Sequence, residues 1–201
     1  LEKEYQEALR FSNEAGAEEK KLAVSDQRFS NLLVRYRALQ AQAASQHADS
    51  LLCLVHGRKG YIYILLDSSE QAEHDFREFL RITNTVNNIP DSLRFIPLLY
   101  TGGILYERGA FDSAMNYYKL AESVAETHKM PLSESGRLFN RLGVMYYATG
   151  NYSQALIYFQ KAISVLPPGE ISLRTNYRIN IASLLVKLNE LDKAREQYQS
   201  L

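Results

Sequence analysis

Cysteine is almost absent from this chain of 201 residues. Cys53 is the only one, so no intrachain disulfide can form and no multi-thiolate metal site is supplied. It lies in SLLCLVHG, an apolar helical run where a small buried thiol is expected; a reactive one would need exposure and a flanking cation. Prolines number five, and four of them (Pro90, Pro131, Pro167 and Pro168) fall between predicted helical pairs. No apolar run approaches the ~18 residues of a membrane span, and no secretory signal opens the chain, so no membrane insertion is expected. Neither sign of charge is in excess: Lys and Arg total 23, Asp and Glu total 23, and no whole-chain field points to nucleic acid. His47, His56, His74 and His128 are scattered without metal-ligand spacing. No P-loop, GxGxxG or Ser/His/Asp set is recognisable, and GGILYERG lacks a preceding strand. No catalysis, cofactor or metal is therefore expected within these residues.

What the chain does have is recurrence. Ala72, Ala114, Ala155 and Ala194 stand at intervals of 42, 41 and 39 residues, each opening a similar half-repeat. A near-constant period of this size indicates stacked supersecondary units, each contacting its neighbours, and such arrays present surfaces more often than they catalyse. The clearest repeat is FNRLGVMYYATGNYSQALIYFQKAISVLPP. Its helix A is predicted from about Ser133 to Ala148, with Leu138, Leu142, Met145 and Tyr146 in one apolar stripe. Thr149-Gly150-Asn151 forms the turn, helix B follows over Tyr152–Val165, and Pro167-Pro168-Gly169 ends the repeat. Gly143 and Ala155 are expected where the two helices cross, and Ala162 where helix B meets the next helix A.

The same offsets give Gly102, Leu105, Gly109, Phe111, Ala114, Tyr118 and Ala121 in the preceding repeat. They give Gly60, Tyr63, Asp67, Ala72, Phe76 and Phe79 in the one before, and Ile181, Ala182, Leu185, Asn189, Leu191, Ala194 and Tyr198 in the last. Phe29, Leu32, Tyr36 and Leu39 have helix B spacing, which adds a degenerate repeat upstream; residues 1–23 form a helix of open assignment. Residues 1–201 thus read as one solenoid: degenerate helices over 1–48, then repeats at 49–89, 90–130, 131–169 and 170–201, the last truncated. Pro97 conflicts with a helix over Ser92–Glu107, so that helix either starts near Phe95 or kinks. Both ends, Leu1 and Leu201, lie inside charged helical patterns and read as cuts in a longer protein. Its compartment stays open, with the cytoplasm slightly favoured.

Phe139, Leu142, Gly143, Tyr146, Ala155, Phe159, Ala162 and Pro167 resemble the tetratricopeptide repeat over roughly residues 26–201, with Phe139 where that family usually has Trp. The longer period is similar to the subclass seen in kinesin light chains and in bacterial arrays, the bacterial group being nearer in phrasing. The resemblance implies an all-α, right-handed superhelical solenoid of antiparallel helix pairs. It also implies a scaffold that recognises a peptide or partner protein on the concave face lined by the A helices.

Carried over by position, the groove candidates are Leu54, Gly57, Arg58 and Tyr61; then Ile96, Leu99, Gly103, Tyr106 and Glu107; then Arg137, Asn140, Arg141, Val144 and Tyr147; then Asn176, Ile179, Asn180, Ser183 and Lys187. Of these, Arg58, Tyr61, Tyr106, Arg137, Asn140, Arg141, Asn176, Asn180 and Lys187 are the peptide-binding set. In the family, asparagine at the place of Asn140 and Asn180 clamps a peptide backbone. The Lys/Asn/Asn/Lys/Arg clamp of some members is not matched, since Leu99 and Gly103 hold two of its places. Arg58, Arg137, Arg141 and Lys187 against Glu107 alone point to an acidic or C-terminal-carboxylate peptide. The competing reading is a set of solvated helix faces paired with nearby glutamates. Two alternatives for the whole stay open: a regulatory module gating a CHAT-type protease or sensor kinase outside this segment, and a self-association module using exposed array ends.

Overall fold

A computed structural model of the chain describes residues 26–86 and 89–199. The helix expected over residues 1–23 lies outside them. The described residues are helices joined by short turns, without a strand among them. In chain order they are α1 (Asp26–Ser45), α2 (Asp49–Leu65), α3 (Ser69–Thr83), a 3-10 turn (Asp91–Arg94), α4 (Phe95–Glu107), α5 (Phe111–Thr127), α6 (Leu132–Ala148), α7 (Tyr152–Val165), α8 (Ile171–Lys187) and α9 (Leu191–Gln199). Cα packing divides the chain into two compact units, residues 1–104 and 105–201.

One turn recurs wherever an A helix hands over to its B helix. Asp67, Gly109, Gly150 and Asn189 take φ of 53°, 77°, 77° and 61°, the left-handed region that glycine, asparagine and aspartate enter at least cost. Each turn closes with the same pair of backbone bonds. Asn151 N–H donates to the Tyr146 carbonyl at 2.8 Å and Gly150 N–H to Tyr147 at 3.1 Å; Glu190 to Leu185 and Asn189 to Val186 repeat them at 2.9 and 3.0 Å. These bonds satisfy the carbonyls orphaned at the helix end. The turn after α1 has the same form, with His47 at φ 52°.

The B helices α5 and α7 are left differently, through extended residues ahead of proline. Leu166 is extended before Pro167, as a residue preceding proline must be, and Pro131 in its own extended conformation leads into α6. Pro97 resolves as a start at Phe95: the segment before it is a 3-10 turn, so Pro97 lies in the first turn of α4, where its missing N–H has no intrahelical acceptor to lose.

The core follows the repeated small and aromatic positions. Leu138, Leu142, Met145, Ala155, Phe159 and Ala162 are buried in the C-terminal unit, and Cys53, Ala72, Phe76 and Phe79 in the N-terminal unit. Phe29, Leu32, Tyr36 and Leu39 of α1 are all buried too. Gly143 and Gly60 leave space for side chains of the facing helix. A Cβ at Gly143 would lie 2.5 Å from the Phe159 ring, and one at Gly60 would lie 2.6 Å from the Phe76 ring. Each glycine makes room for an aromatic ring of its own B helix. A Cβ at Gly136 would lie 2.8 Å from Leu166 Cδ2 and 3.3 Å from the Ala162 carbonyl.

Candidate functional site

The A helices α6 and α8 carry most of the candidate residues, and the sequence fixes α8 in place through its neighbours. Arg174 on α8 donates to the carbonyls of Leu166 and Pro167 at 3.0 and 3.4 Å, capping the open end of α7. Ser133 at the start of α6 donates through Oγ to Glu170, just before α8, at 2.7 Å. Buried Ile181, Leu184 and Leu185 then seat α8 against Ala155 and Phe159.

This packing brings two candidates together. Asn180 Nδ2 donates to Asn140 Oδ1 at 2.8 Å, joining neighbouring A helices through their carboxamides. The bond engages one amide hydrogen and one oxygen, so the pair still offers donors on Asn140 Nδ2 and an acceptor at Asn180 Oδ1. That is the complement of a peptide main chain, which alternates C=O and N–H.

The arginines beside the pair differ. Arg137 is exposed and its Nε lies 3.5 Å from Glu134, one turn away. Arg141 is half-buried and reaches the buried Tyr118 hydroxyl at 3.4 Å. Burial pushes the Tyr118 phenol up, and Arg141 pulls against that shift by favouring the phenolate. A glutamate other than Glu107 thus pairs with one of these cations, Glu134 with Arg137. Asn176 and Lys187 are exposed on α8, and the Tyr106 ring meets Phe111 edge-on at 5.5 Å.

Arg58 and Tyr61 belong to the N-terminal unit. Tyr61 is half-buried, its ring edge-on to Tyr100 at 5.9 Å. Beside them sits a feature that sequence reading did not find. His56 Nδ1 lies 2.6 Å from Asp75, Lys59 Nζ donates to Asp75 at 3.0 Å and to Gln40 Oε1 at 2.7 Å, and all three ionisable residues are buried. Cys53 donates its thiol to the Phe79 carbonyl at 3.6 Å, and burial pushes that thiol up to about 12, which leaves it un-ionised and unreactive.

A second network links α5, α6 and α7. Glu122 accepts from Lys119 Nζ and from the Tyr158 hydroxyl, both at 2.9 Å, while Lys161 Nζ sits 4.0 Å over the Phe139 ring and 3.8 Å from Glu122. Desolvation pulls the pKa of the Lys119 ammonium down, but the hydrogen bonds it donates to Tyr158, Glu122 and Tyr146 more than offset this and hold it above the usual lysine range. Lys161 is therefore tied into packing, although its place on helix B suggests an inert surface lysine.

The described residues hold no group of three or more His, Cys, Asp and Glu that could bind a metal, and no helix long and apolar enough to cross a membrane. The tetratricopeptide-repeat family model matches residues 136–167, the repeat on which the sequence pattern is clearest. Among solved structures, BtubC (BKLC) from P. vanneervenii superposes with a TM-score of 0.65 at 15% identity, over 100% of this chain and 89% of that one. The nearly identical TPR-like repeats assigned to a Podosopora anserina kinesin light chain give 0.64 at 12%, over 99% and 92%. MamA from Desulfovibrio magneticus RS-1 gives 0.61 at 14%, over 96% and 92%. At these identities the likeness shows the fold alone: an all-α solenoid of helix pairs. A curated relative of another kind, the type II methyltransferase M.CeqI of Rhodococcus hoagii, is 31% identical over 123 residues, which make 60% of this chain and 24% of the relative. The chain thus spans about a quarter of that relative's length.

Proposed function

The chain carries tetratricopeptide repeats, and on that premise we propose that it is a non-catalytic scaffold that binds a peptide or a protein segment along its A helices. The observation that supports this most is the 2.8 Å bond between Asn180 and Asn140, which sets a donor and an acceptor for peptide main chain between neighbouring repeats. Arg137, Arg141, Asn176 and Asn180 supply charge and carboxamides on the same two helices, which favours an acidic segment. The long period and the reading of all repeats as one array belong to this proposal.

The test is a pull-down from the source organism with wild type and with Arg137→Glu/Arg141→Glu. Partner capture is expected to be lost in the variant, with helicity and melting midpoint kept, and to fall with added salt in wild type. Lys193→Glu is the control, because Lys193 is exposed and pairs only locally with Glu190 at 2.6 Å. Lys161 does not serve as one, given its place over Phe139. Equal capture by both proteins would move the interface to the B helices or the loops.

The likeness to M.CeqI favours a second reading, in which the array is the interaction or regulatory part of a larger enzyme. A methyl-transfer assay on residues 1–201 is expected to show none; transfer would overturn the non-catalytic reading.

A further inference from the structure

The buried set in the N-terminal unit fixes the places of its own protons. Lys59 Nζ can only donate, so the side of the Gln40 carboxamide that it meets at 2.7 Å must be the oxygen. That orientation turns Gln40 Nε2, which also only donates, toward His56 Nε2 at 3.4 Å. His56 Nε2 is then an acceptor, and the ring proton sits on Nδ1 and is donated to Asp75 Oδ1 at 2.6 Å. Lys59 donates to the same Asp75 oxygen at 3.0 Å, so Gln40, His56, Asp75 and Lys59 close a ring of hydrogen bonds. The ring is complete only while the imidazole is neutral. A second proton, on Nε2, would face the Gln40 amide donor, and turning the amide over would set its NH2 against the Lys59 ammonium.

We propose that this ring is a proton-sensitive clasp: it holds α1 on α2 and α3 at neutral pH, and protonation of His56 loosens α1.

The charges around the imidazole set the direction. Asp75 alone would favour an imidazolium, but Lys59 already neutralises it at the shared oxygen. From α1 come Gln40 and Arg37, the latter held by the Tyr63 hydroxyl at 3.0 Å. On α2 itself stand Lys59, the half-buried Arg58, and the un-ionised Cys53 one turn before His56. α3 adds to Asp75 the buried Glu73, which pairs with Arg77 at 2.6 Å. The part of α4 in this unit, residues 95–104, carries no Asp, Glu, Lys, Arg or His and meets Tyr61 and Phe76 through Tyr100. An extra proton on His56 thus adds a positive charge without a partner where His56 is 4% and Asp75 1% exposed. Lifting α1 removes the opposed Gln40 donor and admits water to the ring. A solvated histidine titrates near ~6.5, so a site that admits only the neutral ring loses at most about 10-fold in its closing constant between about pH 7.5 and pH 5.5.

The test reads amide hydrogen exchange helix by helix in the full chain, as protection factors corrected for the intrinsic exchange rate at each pH. Protection of α1 is expected to fall about 10-fold from about pH 7.5 to pH 5.5. That of α7, which carries no histidine and lies in the other unit, is expected to hold. His56→Gln removes the titrating ring, and its α1 protection is expected to be the same at both pH values. Gln40→Glu supplies a carboxylate that accepts from Lys59 and from an imidazolium alike, so its α1 protection is expected to rise on acidification. His47, His74 and His128 are present throughout and cancel from these comparisons. A nitrogen NMR spectrum of the imidazole at neutral pH is expected to show the neutral tautomer protonated on Nδ1. The spectrum and the wild-type comparison need no variant, so they decide even if a substitution unfolds α1. Wild-type α1 protection that ignores pH, a fall shared by α7 or by His56→Gln, a fall in Gln40→Glu like that of wild type, or a ring protonated on Nε2 overturns the clasp.

Discussion

The repeat over α2 and α3 and the repeat over α6 and α7 are built on one plan and filled with opposite chemistry. Gly60 and Phe76 correspond to Gly143 and Phe159, sixteen residues apart in each, with the ring in the same place against the glycine. On that register His56, Lys59 and Asp75 occupy the positions of Phe139, Leu142 and Tyr158. Where the C-terminal repeat buries Phe139 and Leu142 and half-buries Tyr158, the N-terminal one buries an ion pair and an imidazole. Helix pairing is thus decided by the glycine–phenylalanine contact and the left-handed turn, and the remaining positions accept either apolar packing or a satisfied polar network. The second solution is demanding, since each buried group must keep its partner. Gln40 on α1 completes it by accepting from Lys59 at 2.7 Å, so α1 has a role in the network.

The largest effect that would break this comparison comes from removing one member of the buried set. Asp75→Ala leaves Lys59 without its carboxylate and His56 without its acceptor, and a stability loss of about 3–5 kcal/mol is expected in urea denaturation. The triple replacement His56→Phe, Lys59→Leu and Asp75→Tyr imports the chemistry of the other repeat. It is expected to fold within about 2 kcal/mol of wild type, on either side. If the triple variant is as damaged as Asp75→Ala, the two repeats are not interchangeable at these positions.

A smaller effect tests what the repeats share. Gly143→Ala and Gly60→Ala each place a Cβ inside 3 Å of a ring that is buried and cannot easily move, so both are expected to cost about 1–3 kcal/mol. Because the contact is the same, the two losses should agree within about 0.5 kcal/mol. A large inequality would show that one ring has room to shift and that the common plan is looser than the distances indicate.

These particulars also mark how far the sequence could be read. Turns, helix pairs and the alanine, glycine and phenylalanine positions were legible because backbone conformation and close packing restrict which residues fit, at fixed offsets. Even Asp67 and Asn189, which replace glycine at the left-handed position, fell in register. The Gln40–His56–Lys59–Asp75 network was not legible. Ionisable residues at such spacings ordinarily face water, and only the packing of α1 with α2 and α3 removes it. The same limit applied to the site. Asn140 and Asn180 were named from position alone, whereas Glu134 and Tyr118 came into view only once neighbouring helices brought them near the arginines.

The smallest expected effect lies at the helix starts, where the two repeats again correspond and again differ. Ser68 precedes α3 and Asn151 precedes α7, at equivalent places in their turns. Asn151 Oδ1 accepts from Gln154 N–H at 3.3 Å and satisfies one orphan donor of the helix, whereas the Ser68 hydroxyl turns back to the Leu66 carbonyl at 3.3 Å and caps nothing. Asn151→Ala should therefore cost about 1 kcal/mol, and Ser68→Ala only a few tenths. Asn151→Asp keeps an oxygen in the capping position and adds a charge that the positive helix start favours, so its melting midpoint should stay close to that of wild type. Equal losses for the two alanine variants would mean that Ser68 caps α3 in solution after all, and that the difference between these two helix starts is one of hydroxyl rotamer alone.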